Sequence, residues 1–161
     1  MGKRRGFTLV ELLVVIVIIG LLAALLLPAI FKAICSAKAG TAESLIENLS
    51  QAAKLYETDQ STYPPGDGSG SASLATAVLA PGAKGLPYMQ AKQLIRTPAG
   101  DIVNPTYGGT AILYYARNFP GVPAADAQNK DSFDIWGWGC SGDPKKGAPK
   151  RTDKGLVSNW E

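Results

Sequence analysis

Residues 3–34 read KRRGFTLVELLVVIVIIGLLAALLLPAIFKAI, and the reading of this one stretch decides the fold of the 161-residue chain. From Leu12 to Phe31 it holds 20 residues without a charge. At about 1.5 Å per helical residue, such a run covers the roughly 30 Å hydrocarbon core of a bilayer. Lys3, Arg4 and Arg5 lie just ahead of it and favour an N-terminus held in the cytoplasm, with the rest of the chain outside. A secretory signal peptide is the plainer alternative, and Ala37-Lys38-Ala39 supplies a small-x-small cleavage pattern. Its apolar region would be too long, however, and would carry Glu11 near its start. A lipid anchor at Cys35 fits poorly, because Lys32 and Ile34 stand where the attachment motif takes an apolar and a small residue. A plain single-pass anchor accommodates the length but gives Glu11 no purpose.

Glu11 is the informative residue. A carboxylate within a spanning segment costs roughly 2.5–3.5 kcal/mol at the bilayer centre, and less near the interface, so something should compensate it. Cleavage between Gly6 and Phe7 would create a positively charged α-amino group four residues before Glu11. That amine and the unpaired N–H groups of a helix start are suitable partners for a carboxylate. Within one chain the two charges are i,i+4 neighbours. Between chains they could set the axial register of packed helices, as a buried polar residue does in a coiled coil. A Glu11 that merely reaches the headgroups is the competing reading.

Lys3-Arg4-Arg5-Gly6-Phe7-Thr8-Leu9-Val10-Glu11 resembles the leader junction of type IV pilins and pseudopilins. The resemblance implies cleavage after Gly6 by a prepilin peptidase, N-methylation of Phe7, and a role for Glu11 in subunit docking. Pro28 also falls where that family commonly has a proline. Physically, Pro28 removes the hydrogen bond to the carbonyl of Ala24, so a helix can kink or melt there. Gly6 and Phe7 are thus the expected processing residues, and Phe7, Glu11 and Pro28 the expected assembly residues.

Beyond the apolar run, Ala42, Leu45, Ile46, Leu49, Ala52, Ala53 and Tyr56 recur at three- and four-residue spacing, with Glu43, Glu47, Ser50, Lys54 and Glu57 between them. One helix is therefore expected from about Phe7 to Asp59, far longer than an ordinary globular helix. Thr62-Tyr63-Pro64-Pro65-Gly66-Asp67-Gly68-Ser69-Gly70 ends it. Leu74 to Leu79 reads as a short helix capped by Ser73 or Ser71, and residues 80–100 read as loop. Ala111 to Arg117 and Ser132 to Trp138 are the strand candidates of a small antiparallel sheet, which would cover the apolar stripe of residues 42–56. The expected organisation is a leader over 1–6, a transmembrane and filament-core helix over 7–34, its amphipathic continuation over 35–59, and an extracytoplasmic α+β head over 60–161.

The head resembles that of the major pseudopilin of type II secretion systems, in Tyr63-Pro64, Asp101-Ile102-Val103-Asn104-Pro105-Thr106-Tyr107, Phe133-Asp134-Ile135-Trp136-Gly137-Trp138-Gly139 and the terminal Asn159-Trp160. Thr106 is an insertion in the turn of that pattern. The resemblance implies a pseudopilus subunit that drives protein export, with minor pseudopilins and an inner-membrane assembly platform as partners. A surface type IV pilus subunit for adhesion, motility or DNA uptake is the alternative. The family also holds calcium in its C-terminal loop, for which Ser141, Asp143 and Asp153 are the candidates here. Calcium takes six to eight oxygen ligands, and Lys145, Lys146, Lys150, Arg151 and Lys154 crowd the same loop, so a solvated turn is the other reading.

Composition narrows the remaining classes. The formal charge is +3, but removal of Lys3, Arg4 and Arg5 would leave 13 of the 16 basic residues facing 13 acidic ones. A nucleic-acid partner has no basic patch to support it. The chain has no histidine, and no nucleophile elbow, phosphate loop or paired-acid constellation points to an enzyme. Cys35 and Cys140 lack metal-ligand spacing; outside the cytoplasm they could pair if their Cα atoms came within about 7 Å.

Overall fold

The computed structural model describes residues 6–106, 110–116, 129, 132–140 and 156–160. The chain falls into two compact units, Met1–Ser36 and Ala37–Glu161. In the first, every described residue from Gly6 to Ile34 is helical or adjoins the helix start and is exposed. Leu, Ile, Val and Phe side chains dominate that surface, Phe7 at 82% and Leu25 at 69% exposure. Leaving so many apolar side chains in water would cost on the order of tens of kcal/mol, so lipid or other helices must cover them. Helix α1 runs from Leu9 to Gln60 without a break in its assignment at Pro28. It begins two residues later than the periodicity suggests, because Thr8 serves as its cap. It ends because Ser61 turns into the left-handed region (φ 56°), with its N–H donating to Glu57 O at 2.7 Å.

In the second unit, Ala42, Ile46, Leu49, Ala52 and Ala53 of α1 form one wall of the core. Leu45 and Tyr56, assigned to the same stripe from spacing, are only half-buried. Ser50, expected on the wet side, is buried instead, its hydroxyl satisfied by the carbonyl of Ile46 at 2.8 Å. The opposite wall is an antiparallel sheet in the order β1 (Leu113–Ala116), β2 (Phe133–Trp138), β3 (Leu156–Ser158). Tyr114 pairs with Ile135 and Ala116 with Phe133, so these four share the face turned to the core. Tyr114 is fully buried, its hydroxyl donates to the carbonyl of Pro64 at 2.8 Å, and burial pushes its phenol far above the ordinary value. All six residues of β2 are buried, as expected for a central strand covered on both faces.

Further details differ from the sequence reading. First, β1 is shorter than Ala111 to Arg117: Ala111 bridges Val103, Ile112 donates to Ile102 O, and Arg117 lies outside the described residues. Second, β3 has no counterpart among the expected strands. Third, α2 (Ala72–Leu79) starts at Ser71, but no side-chain cap comes from Ser71. Asp101 supplies it from thirty positions away, its Oδ1 accepting the N–H groups of Ser71 (2.7 Å) and Ala72 (2.9 Å). The Ser71 hydroxyl accepts the N–H of Ile102 at 2.9 Å, so the two segments exchange hydrogen bonds. A Cβ at Gly70 would run into the Asp101 carboxylate, which is why the turn before α2 carries no side chain there. A 3-10 turn at Ala91–Gln93 interrupts the expected loop over 80–100.

Two side-chain clamps hold the ends of β2. The Asn159 amide extends the pairing of β3, its Oδ1 accepting from Ile135 N at 2.8 Å and its Nδ2 donating to Phe133 O at 3.1 Å. At the other end, buried Asn104 and Thr106 both donate to the carbonyl of Trp138, at 2.8 and 2.7 Å. Thr106, extra in the family pattern, is therefore a working part of the clamp. Neither cysteine is a free thiol.

Candidate functional site

The candidate site is the start of α1. An α-helix leaves its first four N–H groups without intrahelical partners, and Thr8 to Glu11 supplies the local remedy. Glu11 Oε2 accepts the backbone N–H of Thr8 at 2.8 Å and its hydroxyl at 2.8 Å, while Glu11 N donates to Thr8 Oγ1 at 3.2 Å. This is a capping box, two reciprocal bonds across Thr-x-x-Glu, with the carboxylate also at the favourable end of the helix dipole. Thr8 is the residue that sequence reasoning missed. The signal was present in Thr8-Leu9-Val10-Glu11, a hydroxyl followed three positions later by an acid and then an apolar run.

The cap accounts for how one chain tolerates Glu11. Its Oε2 is satisfied by Thr8, yet the group remains exposed, as do Gly6 and Phe7, and its negative charge is not neutralised by a cation among the described residues. Among the described residues, nothing lies within 4 Å of the position a Cβ would take at Gly6, so none of them covers the Gly6–Phe7 junction. The arrangement can accept a cation, and it leaves Gly6 and Phe7 exposed next to a capped helix start. Pro28 lies inside α1, seventeen residues further on. Ser141, Asp143 and Asp153 lie outside the described residues, among which no group of three or more His, Cys, Asp or Glu could hold a metal ion.

An exposed apolar helix headed by a capped acid, continuing into an amphipathic stretch that packs on a three-stranded antiparallel sheet, defines a type IV pilin-like subunit. The Prokaryotic N-terminal methylation motif matches residues 1–27. The type II secretion system core protein G of Escherichia coli K12 is 32% identical over 145 residues, covering 86% of this chain and 94% of that protein. Its namesake in Klebsiella michiganensis is likewise 32% identical over 145 residues, covering 86% and 96%. With that of Pseudomonas aeruginosa the identity is 39% over 62 residues, a match spanning 38% of this chain and 44% of the relative. The chain belongs to the type II secretion system core protein G family, the major pseudopilins.

Proposed function

We propose that the chain is a non-enzymatic subunit inserted with its N-terminus in the cytoplasm, cleaved after Gly6, N-methylated at Phe7, and polymerised through residues 7 to about 34 into a pseudopilus whose heads lie outside the inner membrane. The observation that carries this reading is Glu11 itself. Its cap satisfies hydrogen bonds but leaves a full negative charge at the head of an apolar helix, and the α-amino group of a cleaved neighbouring copy is the complementary cation. Family membership supports the pseudopilus over a surface pilus, and the methylation motif fits the N-methylated Phe7 of either. Prepilin peptidase, an inner-membrane platform and minor pseudopilins are the partners this role requires. Mass spectrometry of the mature N-terminus from the native host tests the reading: the expected product starts at N-methylated Phe7, and an intact Met1 or a start at Gly40 overturns it.

A further inference from the structure

In the second unit, a groove of about 650 Å³ runs between α1 and the segment that follows its 3-10 turn. It is lined only by uncharged residues, among them Ala37, Thr41 and Ser44 of α1 and Gln93, Ile95 and Pro105 facing them. Ile95 is left 75% exposed there. It shares the groove with Ala37, the first residue of the unit, which stands six residues past Phe31, where the uncharged run ends. Six residues of helix rise about 9 Å, and the headgroup layer of a bilayer is itself about 5–8 Å deep. With the uncharged run in hydrocarbon, Ala37 therefore lies at the headgroups. Lys92 and Arg96 flank Ile95 in the chain without lining the groove, and Lys38 follows Ala37 on α1. All three are exposed, and no ion pair engages them among the described residues. No acid occurs in residues 68–100, nor on α1 between Phe31 and Glu43. Glu43 and Glu47 line a separate groove, with Lys54, Ser158 and Asn159.

We propose that Ile95, with Lys38, Lys92 and Arg96, docks the head on anionic phospholipid of the membrane that the subunit's own helix enters. Charge and continuity select this occupant. An apolar side chain among cations suits the interface, where the alkyl group enters the acyl boundary while Lys and Arg keep their charged ends among the phosphates. Each Lys or Arg near an anionic surface strengthens attachment about fivefold. The apolar run tethers the patch to that surface, so contacts too weak to recruit a soluble protein are made at high effective concentration. The docking rests on membrane anchorage and not on polymerisation. It gives the unassembled subunit a resting state that entry into a filament must break.

The test uses the full chain, one copy per lipid nanodisc, with Ile95→Cys carrying an environment-sensitive fluorophore; neither native cysteine is a free thiol that would compete for the label. Discs of phosphatidylcholine alone are compared with discs of equal parts phosphatidylcholine and phosphatidylglycerol. The expected result is a blue-shifted probe in the anionic discs, quenched by spin-labelled lipid, and a wet probe in the neutral ones, with the shift shrinking as salt is raised. Lys38→Glu, Lys92→Glu and Arg96→Glu together are expected to abolish the shift. A probe equally wet in both discs overturns the docking, and so does a triple variant whose probe stays immersed. A probe that is wet in single-copy discs but buried when copies are crowded into vesicles assigns the surface to a second copy and overturns it as well. A chain that does not stay with the disc overturns the membrane anchorage along with the docking.

Discussion

At the residue scale, Glu11 has one duty the structure shows, hydrogen bonding toward Thr8, and one proposed for it above, electrostatic and toward a neighbour. Glutamine distinguishes them, because its amide oxygen can still accept the Thr8 N–H while its charge is gone. Glu11→Gln and Glu11→Ala are both expected to insert and be cleaved like the parent yet to assemble poorly. Pelleted filament measured against total membrane-bound chain checks this, and a Gln variant that assembles normally would reduce Glu11 to a helix cap. The cost of losing the cap alone is about 1 kcal/mol. That is small against the apolar surface of Leu12 to Phe31, so the start of the helix should fray without the span being lost. The Thr-x-x-Glu pattern was legible in the sequence, since every atom of a capping box lies within four consecutive residues.

At the element scale, legibility tracks how far apart the partners are. Helix α1 was readable to within a residue or two at either end because uncharged length and three-to-four spacing are local properties. The cap of α2 was not. Ser71 and Ser73 offered nearby hydroxyls, and nothing in residues 71–79 announces that Asp101 will accept the free N–H groups. Strand β3 escaped for a related reason: Leu156–Ser158 is too short to show alternation, and Asn159 completes its pairing with a side chain. Burial of Ser50 likewise depends on its bond to the preceding turn and not on its polarity. Asp101→Ala removes the only side-chain acceptor at the start of α2 among the described residues and should cost about 1 kcal/mol, or several degrees of Tm for a domain of this size. Asp101→Asn keeps an acceptor oxygen and should recover most of that loss, as thermal melts followed by circular dichroism would show.

At the scale of the whole molecule, neutrality after processing bears on what the C-terminal loop can hold. Asp143 and Asp153 share residues 141–154 with five basic side chains. Calcium draws its affinity from the number of carboxylates that outweigh nearby cations, and here the balance runs the other way. Adding calcium or removing it with a chelator is therefore expected to leave the Tm unchanged. A rise that grows with calcium concentration, as ligand binding to the folded state demands, would show the loop to be a metal site after all. The described residues already tie down the strand that leads into this loop without any ion, through Asn104 and Thr106 on the carbonyl of Trp138.

The cap at Thr8 has one more consequence. The peptide unit that Glu11 grips joins Phe7 to Thr8, whereas the expected cut severs the unit before it, Gly6 to Phe7. The proposed trimming would therefore leave the gripped amide intact and act on a helix start that is already capped. On the proposed cleavage, maturation would work as a change of charge at the tip of a finished helix: the subunit would lose residues 1–6, with Lys3, Arg4 and Arg5, and carry its ammonium at Phe7 instead.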